Sequence, residues 1–261
     1  MNLVVLGDKG MLGRAVSRFF SLDSKYDVKT IKAFWDGSPD FANELSKTSP
    51  DLIVNCIGKV PQANSSDDYS FVNVELPRFL ETLNIPVVHP STDCEFSGAL
   101  PVGEFYTKSS LRDPVDAYGR SKAVICEEIE SRFENTKVIR TSIVGHELSS
   151  NVSFLDWFLS QSTSVNGYTN HYWNGITTLE WARICERLIS KWESYPQLNQ
   201  VGTNKFQSKF DVLSIVKDVY EKDIIINPFE AEKTVNRCLA SDFEVPSLNF
   251  QLSELKEFFA K

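Results

Sequence analysis

Tyr118-Gly119-Arg120-Ser121-Lys122 sets a phenol and an ammonium four residues apart. On a helix that spacing puts both side chains on one face, one turn apart. The ammonium stabilises the phenolate and lowers the tyrosine pKa from its reference of about 10. Tyr118 then becomes a proton donor or acceptor near neutral pH, and Lys122 is also able to hydrogen-bond a ribose diol. Such a pair is common by chance and gains meaning from its company. Gly7-Asp8-Lys9-Gly10-Met11-Leu12-Gly13 spaces three glycines as GxxGxxG. Glycines there let the backbone turn tightly and approach a pyrophosphate at a helix N-terminus. Ser91-Thr92-Asp93-Cys94-Glu95-Phe96-Ser97-Gly98 follows an apolar run. Thr92 is placed to hydrogen-bond a substrate oxygen; its plainer reading is an ST-turn or helix cap.

These groups need a scaffold, and the hydrophobic pattern supplies one. Leu3 to Leu6 read as a buried strand, and Leu12, Ala15, Val16, Phe19 and Phe20 fall on one face of a helix. Further strands are expected at 28–31, 52–54, 86–89 and 138–141, and helices at 74–83 and 118–133. This alternation predicts an α/β fold with a doubly wound parallel (Rossmann) sheet, which binds ligands beyond the carboxyl ends of its strands. After Gly145 the rhythm changes. Helices are expected at 154–159, 178–192, 211–220 and 252–259, a short strand at 224–226, and a polar, aromatic stretch at 160–174. The reading is a dinucleotide-binding domain over 1–145, with part of 174–192 packing back on it. A smaller substrate-binding lobe follows over 146–261.

Composition removes several classes. The 261 residues carry a net charge of −8, which argues against a nucleic-acid partner. No apolar run is long enough to cross a bilayer, and the start of the chain does not read as a signal peptide. Cys56, Cys94, Cys126, Cys185 and Cys238 are scattered without a CxxC pair, so no metal site and no disulfide framework is expected. Free thiols fit a cytoplasmic location. Asp36, Asp67 and Asp68 read as solvated surface acids.

The cofactor's charge is read at the end of the second strand, Lys29-Thr30-Ile31-Lys32-Ala33-Phe34-Trp35-Asp36. NAD selection usually places an acid there. The strand end has none and Asp36 comes late, while Lys9 and Lys32 are able to meet a 2′-phosphate. NADPH is therefore expected, with NADH as the alternative.

The ordered set GDKGMLG, VNCIG, STDCEFSG and YGRSK resembles the extended short-chain dehydrogenase/reductases, most closely the dTDP-4-dehydrorhamnose reductase-like, nucleotide-sugar reductase branch. The resemblance runs nearly end to end. It implies Thr92, Tyr118 and Lys122 as the catalytic triplet, and Met11 and Leu12 beside the three glycines as a pyrophosphate cradle. Cys56, Ile57 and Gly58 would border the adenosine half of the cofactor, and Asn73 would support the site. The implied activity is NAD(P)H-dependent reduction of a keto group on a nucleotide-diphosphate sugar, in surface polysaccharide or deoxysugar biosynthesis. Cys94, Asn151, Trp173, Asn174 and Thr177 are the expected substrate-lining residues, and a homodimer is the commonest closed assembly.

Departures from the branch bear on the sugar. Glu95 stands where an apolar residue is usual, Lys59-Val60-Pro61-Gln62-Ala63 lacks the acidic VDxAE pattern, Val124-Ile125-Cys126 replaces a small-residue ending, and Ile143 replaces an aromatic. Two alternatives stand beside the reductase. One is an epimerase-reductase with Cys94 and His146 as its acid/base pair, His171 being a weaker partner. The other is a non-catalytic cofactor-binding regulatory subunit, which would tend to lose the Tyr–Lys pair.

Overall fold

The apolar runs become strands because every residue from Leu3 to Leu6, and from Leu52 to Asn55, is buried on both faces. The computed structural model describes residues 1–61 and 68–260; Gln62, Ala63 and Asp67 lie outside them. In chain order the elements are β1 (Asn2–Leu6), α1 (Met11–Ser21), β2 (Asp27–Thr30), α2 (Pro39–Lys47), β3 (Leu52–Asn55), α3 (Leu76–Glu81), β4 (Val87–Ser91), α4 (Ala117–Arg132), β5 (Thr136–Arg140) and β6 (Ile143–Val144). Then come α5 (Phe154–Ser160), β7 (Ser164–Tyr168), β8 (His171–Trp173), β9 (Ile176–Thr177), α6 (Thr178–Ser190), β10 (Leu198–Gln200), β11 (Gln207–Ser208), α7 (Lys209–Tyr220), β12 (Ile225–Phe229), β13 (Val235–Asn236) and α8 (Leu248–Ala260).

Six strands form the main sheet in the order β10-β5-β4-β3-β1-β2. β1 pairs in parallel with β2 and β3, and β3 with β4. The order reverses beside β1, the switch point of a doubly wound sheet, so the Rossmann reading holds. The first compact unit comprises Met1–Ser91, Asp116–Ile139 and Ala182–Asn199. On one side of its sheet Val4, Leu6, Ile53 and Val87 pack with Phe41 and Leu45 of α2 and with Leu76 and Leu80 of α3.

The second unit comprises Thr92–Val115, Arg140–Trp181 and Gln200–Lys261. The units therefore interleave instead of dividing once near residue 145, and they are nearly equal in length. The physical reason is backbone pairing within the second unit. Asn236 N–H donates to Gly98 O (2.8 Å), Tyr106 N–H to Cys238 O (2.9 Å) and Ala240 N–H to Tyr106 O (2.8 Å). Those bonds tie Thr92–Val115 to the C-terminal segment. β7 pairs in parallel with β12, and β8 lies between β11 and β13.

Candidate active site

The glycine loop links β1 to α1. Gly7 is left-handed (φ 78°), and a Cβ there would sit 3.1 Å from the backbone of Cys56 and Ile57. A Cβ on Gly13 would fall 2.1 Å from Gly7 O, so helix and turn close on each other only because Gly13 has no side chain. Gly10 is the N-cap of α1 and makes no side-chain cap. The first N–H groups of α1, those of Met11, Leu12 and Gly13, thus have neither intrahelical partners nor a capping side chain. The first turn carries no acidic residue. That cradle suits a phosphate. Gly13→Ala is expected to lower stability by roughly 1–3 kcal/mol and to weaken cofactor binding; urea unfolding checks the first and cofactor titration the second. An unmoved unfolding midpoint would show that the loop has room.

Lys9 and Lys32 are exposed. Asp36 accepts from Ser38 N–H (2.9 Å), and that Ser38 turn lowers its pKa. The carboxylate nearest the β2 end is Glu44 of α2, which accepts from the N–H groups of Lys32 (2.7 Å) and Ala33 (2.8 Å). Cys56 and Ile57 are half-buried after β3, and burial pushes the Cys56 thiol far up.

Tyr118 and Lys122 lie on α4. The Asp116 carboxylate caps that helix by accepting from Gly119 N–H (2.6 Å), which fixes the turn bearing Tyr118. The Tyr118 ring is half-buried and meets Tyr69 edge-on at 5.8 Å. Lys122 is buried, and its Nζ donates to Pro90 O (3.1 Å) in β4. A Cβ on Gly58, just beyond β3, would lie 3.9 Å from that Nζ. Asn73, in a one-turn π-helix spanning Phe71–Glu75, holds both ends of the Lys59 backbone. Its Oδ1 accepts from Lys59 N–H (2.8 Å), while its Nδ2 donates to Lys59 O (3.0 Å) and Ser121 Oγ (3.1 Å).

Two residues beneath this site carry roles that periodicity could not reveal. Asn55 Oδ1 accepts from Ile57 N–H (3.1 Å), so its Nδ2 donates to His89 Nδ1 (3.0 Å) and the His89 proton is assigned to Nε2. Burial, assisted by the Lys122 charge, holds the His89 pKa well below the ordinary value. The unfolded chain therefore binds a proton that the folded one refuses. Stability present above about pH 6.5 is lost as pH falls below it, by up to about 1.4 kcal/mol per pH unit. Urea midpoints at about pH 7 and 5.5 are expected to differ less in His89→Gln than in the wild type; equal differences would remove His89 from the effect.

In the second unit, Thr92 Oγ1 accepts from Cys94 N–H (3.1 Å) and donates to Asp93 Oδ1 (3.1 Å). It caps the 3₁₀ turn Asp93–Glu95, so the cap reading of Thr92 is also met. Cys94 Sγ accepts from Arg237 Nη1 (3.4 Å). Trp173 is buried with Lys209 Nζ 5.0 Å from its ring centre. Thr177 and Asn174, also expected to line the substrate, bond to groups within the second unit. Thr177 is fully buried and its Oγ1 caps α6 by accepting from Glu180 N–H (3.2 Å). The Asn174 amide is bound to Thr203 O, Leu239 O and Leu239 N–H. Asn151 is exposed. Among the described residues no cluster of three or more His, Cys, Asp or Glu is arranged to hold a metal, and no helix is long and apolar enough to cross a membrane.

Known proteins share this fold. A dTDP-4-dehydrorhamnose reductase of Clostridium acetobutylicum ATCC 824 superposes with a TM-score of 0.82 at 16% identity, over 100% of both chains. One of Bacillus anthracis str. Ames, in complex with NADP, gives 0.81 at 16%, over 99% of this chain and 98% of that one. At such identities they speak for the fold. A curated dTDP-4-dehydrorhamnose reductase of Sinorhizobium fredii (strain NBRC 101917 / NGR234) is 30% identical over 159 residues, 55% of this chain and 51% of that protein. The match thus spans about half the length of that relative. A family model described as RmlD substrate binding domain matches residues 1–206, which run from the glycine loop through α4 to β10, and the chain belongs to that family.

Proposed function

We propose that the chain reduces a keto group on a nucleotide-diphosphate sugar with NADPH, NADH being the alternative, in the manner of a dTDP-4-dehydrorhamnose reductase. One observation carries the reading. The Lys122 ammonium, one turn from Tyr118, is bonded to Pro90 O at the carboxyl end of β4. The glycine loop after β1 and Gly58 after β3 lie at that same end of the parallel sheet. The NADP bound by the Bacillus anthracis relative supports the cofactor.

The α1 N-terminus, the glycine loop and Cys56–Gly58 would hold the dinucleotide, and exposed Lys9 and Lys32 would meet a 2′-phosphate. When bound, the nicotinamide supplies the hydride. Tyr118 would give its proton to the carbonyl oxygen as negative charge develops there, and Thr92 would orient that oxygen by turning to it the hydroxyl proton it otherwise donates to Asp93 Oδ1. Lys122 would stabilise the resulting phenolate and would hold the nicotinamide ribose. NADPH oxidation with a panel of 4-keto nucleotide sugars tests the reading, and no turnover across the panel would sink it.

The epimerase-reductase alternative needs a second acid/base pair. His146 binds Asp156 Oδ1 through Nδ1 and Tyr220 Oη through Nε2, both at 2.8 Å. Neither ring nitrogen is left for Cys94. The Tyr–Lys pair speaks against a regulatory subunit. A cytoplasmic location and a homodimer accompany the reading, and light scattering checks the latter.

The Tyr118–Lys122 pair sets a pH test. Reduction needs the phenol and oxidation the phenolate, so reduction should fade on the alkaline side below tyrosine's reference of about 10 while oxidation rises. Lys122→Met is expected to move that crossover to higher pH and to weaken cofactor binding. A crossover that stays put, measured at saturating cofactor, would show that Lys122 does not tune Tyr118.

A further inference from the structure

A cationic corner lies beside Thr92 in the second unit. Arg237, just after β13, lays its guanidinium along the Thr92–Gly98 turn, with Nη1 3.4 Å from Cys94 Sγ and Nη2 3.5 Å from Ser97 O. Its Nε is buried without a hydrogen-bond partner among the described residues. Lys209, the first residue of α7, is half-buried. Its Nζ stands 4.8 Å from the Phe154 ring centre and 5.0 Å from that of Trp173. Burial, chiefly, lowers the Lys209 pKa to about 8; Asp93, Cys94 and Cys238 oppose the shift and Arg237 adds to it.

Arg237 and Lys209 repel each other, and Asp93 attracts Lys209. Among the described residues neither cation forms an ion pair with a carboxylate, although the chain as a whole carries a net charge of −8. Half-buried charge with no carboxylate in ion-pair contact is costly, and an incoming anion would offset that cost. The anion's position is marked by connectivity. Arg237 touches Cys94, and Cys94 N–H donates to Thr92 Oγ1 (3.1 Å), so the guanidinium is one residue's reach from the hydroxyl assigned to the reacting carbonyl.

We propose that Arg237 and Lys209 form a subsite for a carboxylate on the sugar, beside the carbonyl that Thr92 orients, so that the substrate is a nucleotide-linked keto sugar acid. The inference rests on the reading of Thr92 given under the proposed function. The substrate's diphosphate offers the same kind of charge, but the sugar ring separates it from the reacting carbon.

Calorimetric binding of matched pairs separates these sources without relying on turnover. The probes are UDP-glucuronate against UDP-glucose, dTDP-glucuronate against dTDP-glucose, and UDP and dTDP alone. In at least one base series the acid is expected to bind about tenfold or more tightly than its neutral counterpart, the scale of a charge-assisted hydrogen bond. Arg237→Met is expected to abolish that preference and Lys209→Met to reduce it, while Arg237→Lys retains part of it. The preference should also decline above about pH 8 as Lys209 loses its proton, and lose that pH dependence in Lys209→Met.

Equal affinities within both pairs, or no binding by any of the sugar nucleotides, would overturn the proposal. So would an Arg237→Met loss on UDP or dTDP alone as large as on the acid, which would place the cations on the diphosphate. Failure of the reductase reading appears separately, as absent NADPH oxidation with the acid preference intact.

Discussion

Tyr118→Phe protein is expected to lose about 10³-fold in kcat, within the range that general acid catalysis contributes, while its NADPH dissociation constant moves only a few-fold. The split follows from the site's construction. The hydroxyl is the only group removed, and the half-buried ring keeps its edge-on contact with Tyr69. Asp116 still caps the turn and Lys122 still reaches Pro90 O. Cofactor binding, followed by fluorescence, should therefore survive the loss of the proton donor. Turnover at the wild-type rate would remove Tyr118 from the chemistry, and a parallel collapse of cofactor binding would assign it a packing role.

The second large effect lies in the second unit and concerns stability. Glu95 is fully buried, and its Oε2 accepts from Arg140 Nη2 (2.6 Å) and Arg112 Nε (2.7 Å). Arg140 is itself fully buried, with Nη1 on Gln200 Oε1 (3.0 Å) and its guanidinium 5.2 Å from the Phe96 ring centre. Glu95→Ala leaves a buried guanidinium without its carboxylate, and is expected to cost about 3–5 kcal/mol in urea or thermal unfolding. Glu95→Leu combined with Arg140→Met removes both charges, and should cost less than Glu95→Ala alone. A loss under about 1 kcal/mol, the scale of an exposed pair, would show that water reaches the cluster.

That cluster also shows where sequence reading succeeds and where it stops. Glu95 is visible as a departure at a position usually apolar, but its reason is Arg140, a strand residue far along the chain. Local periodicity carries no information about such a pairing. The strands from Leu3, Leu52 and Val138, the helix bearing Tyr118 and the glycine loop were all legible, because burial on both faces and a 3.6-residue stripe leave direct marks. α2 left almost none, since only Phe41 and Leu45 of its nine residues are buried. β7 and β8 hide in a polar, aromatic stretch because β7 alternates exposed and buried and is held by β12 from much later in the chain. Within the candidate site, the spacing of Tyr118 and Lys122 on one helix face was legible. Asn55 and His89 did not, because their roles are hydrogen bonds between neighbouring strands. Thr177 and Asn174 read as lining residues by polarity, and periodicity could not show the helix cap and backbone clamp that this polarity makes.

The backbone stitching of Gly98 and Tyr106 to Asn236, Cys238 and Ala240 has a consequence for biosynthesis. Translation runs from the N-terminus, so β1, the glycine loop, α1 and the β3 strand that pairs with β1 are all complete early. The turn that presents Thr92 is made soon afterwards but must wait for partners near the other end of the chain, a loop closure of high contact order. A nascent or clipped chain ending before Asn236 would thus carry a formed nucleotide cradle while its Thr92 turn was still unassembled. Dinucleotide affinity would mature on the ribosome well before catalytic competence, which would arrive only as the last strand is released.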